Sequence, residues 1–246
     1  MGISLEKAFV LAAGLGTRMR PLTEHVPKPL VRLAGRALLD HVLDRIEDAR
    51  IADAVVNVHY LADMVEQHLA SRIMPHITIS DERDELLDTG GGVAKALPLL
   101  GDGPFLVHNS DSVWIERATA NLPALGAAFD ERRMDGLLLV ADRITSLGYD
   151  GRGDFHLEAD GRLRRVARGE TAEFVFAGVS IATPRLIRDA PAAAFSLNRV
   201  WDRALAEQRL FGLRLDGTWM HVGDPAALSA AEARLAGHAT GAEKSR

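Results

Sequence analysis

The run Leu11-Ala12-Ala13-Gly14-Leu15-Gly16-Thr17-Arg18 passes from small apolar residues into two glycines and then into positive charge. Glycines let the backbone approach a ligand with its N–H groups free, and successive inward-facing amides form a nest for an anion. A helical turn behind them adds its positive end. Arg18 and Arg20 bring forked donors that match phosphate oxygens, and Lys28, between Pro27 and Pro29, brings a compact point charge on a stiffened backbone. The chemistry such a set suits is the binding of a polyphosphate. Two glycines alone also serve a plain turn, with solvent-facing arginines beyond it. The spacing is not the dinucleotide fingerprint, which needs glycine at Met19, and no Gly-Lys-Ser/Thr follows to make a P-loop.

Two further groups carry chemistry. Asn109-Ser110-Asp111 closes an apolar run, so Asp111 would be delivered to the carboxyl edge of a sheet, where ligands bind. Asp111 is a candidate ligand for a divalent cation; a helix cap is its plainer role. Asn109 suits loop organisation. Leu86-Leu-Asp-Thr-Gly90-Gly91-Gly92 is a glycine run that could expose amides and let a planar base approach closely, or could simply lead into a helix. Glu82, just before it, could accept an N–H from uracil or from guanine. No nucleophile elbow surrounds Ser110, and His59 and His108 form no metal cluster.

These groups need a scaffold, and the hydrophobic pattern supplies one. Apolar runs at 8–13, 54–58, 76–80, 105–108 and 137–141 read as strands, the first buried on both faces. Helical stripes at 38–49, 62–70, 93–97 and 115–129 alternate with them. The order predicts a three-layer α/β, Rossmann-like unit with a mostly parallel central sheet. Beyond residue 142 the texture changes. Asp160-Gly161 signals a hairpin between 154–157 and 163–166, a long strand covers 173–181 and a helix 195–207. Strands at 211–215 and 219–222 flank Asp216-Gly217, and a terminal helix follows at 225–236. The expectation is a single domain over 1–236, with a nucleotide part at 1–141, a small antiparallel substrate lobe at 142–223 and a flexible tail at 237–246.

Composition narrows the options. The 246 residues are 47% hydrophobic and 26% charged, an ordinary globular balance. A formal net charge of -5 gives no general attraction to nucleic acid or to an anionic membrane. With no cysteine, disulfides, thiolate metal sites and thiol nucleophiles are excluded. No secretory pattern opens the chain, and no stretch approaches the roughly 18 apolar residues that span a bilayer. A cytoplasmic protein, monomeric or a small homo-oligomer, is expected.

Taken together, Gly14-Leu-Gly-Thr-Arg-Met-Arg-Pro-Leu-Thr23, Pro27-Lys-Pro-Leu30, Thr89-Gly-Gly-Gly92, Asn109-Ser-Asp111, Gly151-Arg-Gly-Asp-Phe155 and the 219–223 segment resemble the sugar-1-phosphate nucleotidyltransferases over nearly the whole chain. In its shortness the chain resembles the stand-alone members that join UTP to N-acetylmuramate α-1-phosphate in cell-wall recycling. A mannose- or heptose-1-phosphate guanylyltransferase is the alternative within the class, and a non-catalytic nucleotide-sugar module the alternative outside it. The resemblance implies a nucleoside triphosphate (UTP favoured) and a sugar-1-phosphate as partners, with Mg²⁺ as cofactor and Mn²⁺ as its substitute. It implies that the Gly14–Arg18 loop wraps the triphosphate, that Arg18 neutralises the leaving pyrophosphate and that Lys28 lies beside the α-phosphate. Asp111 would hold the metal, while Ala12, Ala13, Gly90 and Gly91 surround the base. The family's second acidic metal ligand falls at His221, with Asp224 three residues on. Imidazole suits Mn²⁺, Co²⁺ or Zn²⁺ better than Mg²⁺. His221, Asp224 (also a good helix cap before Pro225) or a water could complete the site. Gly148, Asp154, Glu173, Gly178 and Asn198 are the sugar-side candidates, Glu173 reading equally as a solvent-facing acid.

Overall fold

Val-, Ile- and Leu-rich runs too apolar for a solvated face become strands that helices cover on both sides. A computed structural model of the protein describes residues 2–191 and 193–243. Its first half runs β1 (Lys7–Leu11), β2 (Arg32–Leu33), β3 (Arg36–Ala37), α1 (Leu38–Asp48), β4 (Asp53–Val58), α2 (Ala62–Leu69) and β5 (His76–Asp81). Then come α3 (Asp88–Leu100), β6 (Phe105–Asn109), β7 (Ser112–Glu116) and α4 (Asn121–Ala128). The second half holds β8 (Gly136–Asp142), β9 (Phe155–Leu157), β10 (Leu163–Arg165), β11 (Phe174–Ala182) and α5 (Pro184–Arg188). It ends with α6 (Leu197–Ala206), β12 (Leu210–Arg214), β13 (Gly217–His221) and α7 (Pro225–Glu243).

The central sheet has the order β10-β9-β11-β6-β1-β4-β5, and β8 and β12 extend it beside β11. Strands β6, β1, β4 and β5 are parallel; β11 runs antiparallel to β6 and β8. Side-chain alternation divides the core. Ala8, Val10, Ala54 and Val56 meet Leu39, Val42 and Ile46 of α1 and Val65 of α2 on one face. Phe9, Val55, Phe105 and Val107 meet Val93 of α3 and Val200 and Trp201 of α6 on the other. A smaller cluster joins Met19, Val113, Met220 and Val222 outside the sheet.

The structure corrects three boundaries. Ile115 and Glu116, expected to open a helix, instead close strand β7, because Ser112, Trp114 and Glu116 pair with His221, Trp219 and Gly217 of β13. The helix begins only at Asn121, whose N–H donates to Glu116 Oε1 (2.8 Å). Asp216-Gly217 separates two strands as expected, and these enter different pairings, β12 with β8 and β13 with β7. The three glycines of 90–92 lie inside α3, not in a loop before it. The terminal helix continues to Glu243, through most of the segment expected to be a flexible tail. Positions 244–246 of that tail lie outside the described residues. The Asp160-Gly161 hairpin is present as β9 and β10, with Leu163 opposite Leu157.

Candidate active site

Parallel strands leave their ligand crevice at their carboxyl ends. A cavity of about 520 Å³ opens there, lined by Leu11, Ala12, Ala13, Gly14, Gly16 and Thr17. Arg18, Lys28, Glu82, Asn109 and Asp111 also line it. At Gly16 the backbone is left-handed (φ 62°), and Thr23 Oγ1 donates to its carbonyl (2.8 Å). A Cβ there would stand 3.0 Å from Lys28 Cβ, so the glycine also lets the lysine lie against the loop. Met19, fully buried, anchors the turn that carries Arg18.

Lys28 Nζ donates to Asp111 Oδ2, and both side chains are largely buried. The Ser110 N–H donates to the Leu11 carbonyl (3.2 Å), tying the ends of β6 and β1 together. The Val222 N–H donates to the Asp111 carbonyl (3.1 Å) and brings in the late segment. His221 Nδ1 thereby lies 3.8 Å from Asp111 Oδ2, with its Nε2 3.4 Å from Arg18 Nη2 and its ring stacked on Trp219. Burial pushes the Asp111 carboxyl up, but the charges of Lys28, His221 and Arg18 outweigh it and hold the group below the ordinary carboxylate range. Burial, aided by Lys28 and Arg18, holds His221 below the usual imidazole range, against the pull of Asp111. Asp224 is turned to other work: its Oδ1 accepts from the Ala227 N–H (2.9 Å) at the start of α7.

The remaining candidates separate. Gly90 and Gly91 do not line the cavity; both amides donate to the Phe195 carbonyl, and a Cβ on Gly90 would strike the Phe195 ring. Their part is close packing of α3 against the start of α6, so the expected free amides are spent inside the protein. None of the five sugar-side candidates lines the cavity either. Gly178 packs against Ser112 and against Asn109, which does line the cavity. Gly148 packs on the His221 carbonyl. Asp154 accepts from the Phe176 N–H (2.9 Å), and burial raises its pKa. Glu173 meets His156 Nδ1 (2.7 Å), and Asn198 bonds Ser196 and Arg165. Asn57, missed by the sequence reading, does line the cavity. Its signal was a lone amide in the apolar run Val55-Val56-Asn57-Val58.

A parallel sheet ending in a glycine loop, a paired lysine and aspartate, and a cavity between them define a nucleotidyltransferase site. The chain belongs to the nucleotidyl transferase family, whose model matches residues 7–143, and it is a sugar-1-phosphate nucleotidyltransferase. It is 53% identical to the N-acetylmuramate alpha-1-phosphate uridylyltransferase of Caulobacter vibrioides, over 93% of this chain and 96% of the relative. The Neisseria meningitidis serogroup B protein of the same name is 35% identical, over 94% and 98%. The fold matches the inositol-1-phosphate CTP transferase of T. maritima with a TM-score of 0.75 at 20% identity, covering 94% of this chain and 96% of that one.

Proposed function

We propose that the protein transfers UMP from UTP to N-acetylmuramate α-1-phosphate, releasing pyrophosphate and forming UDP-N-acetylmuramate. The observation that carries this reading is Lys28 seated on Asp111 at the mouth of the glycine loop. The names and the close similarity of the two uridylyltransferases support the choice of base and sugar. A phosphate oxygen of the sugar phosphate attacks the α-phosphorus, and the bond to the β-phosphate bridging oxygen breaks. The acceptor is already an anion, so no enzyme nucleophile is required. Lys28 offsets charge at the α-phosphorus and Arg18 charge on the departing pyrophosphate.

The reaction calls for a divalent cation, Mg²⁺ or Mn²⁺. The donors fit one: a buried carboxylate, Asp111, faces the cavity with the His221 imidazole beside it. Among the described residues no cluster of three or more such side chains is arranged for a metal, so phosphate oxygens and water would complete the shell. Such an ion polarises phosphoryl oxygens and neutralises their charge. No described helix is long and apolar enough to cross a membrane, which suits a reaction carried out in the cytoplasm.

A guanylyl-transfer reading draws on one observation, that Glu82 lines the cavity; an acceptor there would suit guanine N1–H as it suits uracil N3–H. A pyrophosphate-release matrix of nucleoside triphosphates against sugar phosphates tests both. The highest kcat/KM is expected for UTP with N-acetylmuramate α-1-phosphate. Preference for GTP with mannose-1-phosphate would move the assignment to guanylyl transfer, and no turnover with any pair would leave a binding module.

A further inference from the structure

Asn57 occupies the penultimate position of β4, and both it and Glu82 are 1% exposed. Three of the amide's four hydrogen-bonding positions face named partners. Oδ1 accepts from the backbone N–H groups of Ala12 (2.7 Å) and Ala13 (3.2 Å), where the phosphate loop leaves β1. Two backbone donors fix which end of the amide is oxygen, so Nδ2 must point the other way. There it donates to Glu82 Oε1 (2.7 Å). The side chain of Glu82 is therefore held as an acceptor at Oε1. Its Oε2, whose protein contact is a long one from the Leu87 N–H (3.4 Å), is the oxygen left for a ligand.

Gly92 belongs to the same arrangement. A Cβ at this position of α3 would stand 2.8 Å from Glu82 Oε1 and 2.9 Å from Asn57 Nδ2, well inside contact distance. The third glycine of the run thus clears the space in which amide and carboxylate meet. This explains a glycine in a helix interior, where it costs about 1 kcal/mol relative to alanine.

We infer that Asn57 is a positioning residue for base selection, aiming the Glu82 carboxylate at the nucleobase while pinning the first amides of the phosphate loop. The role rests on the UTP assignment above. A carboxylate oxygen facing the base N3 suits uracil, which offers N3–H there, and opposes cytosine, whose N3 is an acceptor and whose donor sits on the N4 amino group instead. Binding measurements suit the test, because they need no turnover.

UTP, CTP and inorganic pyrophosphate are titrated calorimetrically into the wild type, Asn57→Asp and Gly92→Ala. Aspartate keeps both acceptor contacts to the loop but sets a like charge against Glu82. Gly92→Ala removes no hydrogen-bonding group and only displaces the pair, so it serves if the aspartate variant does not fold. The expected result is a UTP-over-CTP preference reduced about tenfold or more in both variants, the scale of a lost hydrogen bond to a charged group, with pyrophosphate affinity unchanged in Gly92→Ala, which alters no charge. A folded variant that keeps the wild-type preference overturns the positioning role, as does equal weakening of pyrophosphate and UTP in Gly92→Ala. A wild type that does not prefer UTP to CTP overturns the UTP assignment itself, and the role with it.

Discussion

His221 Nδ1 stands 3.8 Å from Asp111 Oδ2, the same oxygen to which Lys28 donates. One carboxylate oxygen thus faces both an imidazole and an ammonium, from chain positions far apart. If the pair holds the cation, Asp111→Ala should abolish nearly all metal-supported activity. His221→Ala should weaken Mn²⁺ binding, measured by electron paramagnetic resonance with nucleotide present, and His221→Asp should shift preference towards Mg²⁺. Unchanged Mn²⁺ binding in His221→Ala would remove the histidine from the site.

Lys28→Ala should lower kcat by at least about tenfold at saturating substrates, as expected when charge stabilisation of the transition state is lost. The fold should persist, since Lys28 lies at the cavity surface rather than in the core. Steady-state kinetics with circular dichroism checks both. Near-normal kcat would assign Lys28 to ground-state binding only.

Asp224→Ala should cost about 1 kcal/mol of stability through the lost cap on α7. Metal affinity should not change. A denaturant titration alongside the Mn²⁺ measurement separates the two, and loss of metal binding without loss of stability would return Asp224 to the cation site.

His108 is fully buried, stacks on Trp114 and bonds the Asn109 carbonyl through Nδ1, while Nε2 has no hydrogen-bond partner among the described residues. Burial pushes its pKa down to about 4. Between that value and the ordinary 6.5 the unfolded chain binds the extra proton, so stability must fall as the pH falls through this window. The full loss is on the order of 3 kcal/mol. Thermal unfolding at pH 7 and pH 4.5 should show the drop in the wild type and a smaller one in His108→Phe. An equal drop in both would place the acid sensitivity elsewhere.

Much of this was legible in the sequence, for reasons that differ by residue. Apolar runs gave the parallel strands, because a strand buried on both faces admits few polar residues. The cavity residues from Leu11 to Arg18 were legible because the glycines, Arg18 and the Pro27-Lys28-Pro29 segment occur together with Asn109-Ser110-Asp111, a combination that a plain turn does not require. The glycine run at 90–92 misled because its residues serve packing against Phe195 and Glu82, and a glycine chosen for lack of bulk looks the same as one chosen for a free amide. Asn57 escaped for the opposite reason. A single amide in an apolar strand carries no spacing signal, and its partners at 12, 13 and 82 meet it only in three dimensions. The stretch at 112–116 has the composition of either element, and only its pairing with β13 decides for strand.

Arg18 and His221, whose side chains meet at 3.4 Å, are separated by 203 positions. Few contacts in the molecule close a longer loop, and loop closure of that length is among the last entropy costs a folding chain recovers. A chain emerging from the ribosome would have its nucleotide strands in place well before β13 exists to meet the phosphate loop. If His221 is required for turnover, activity should appear only once β13 has been made and folded against the loop that carries Arg18.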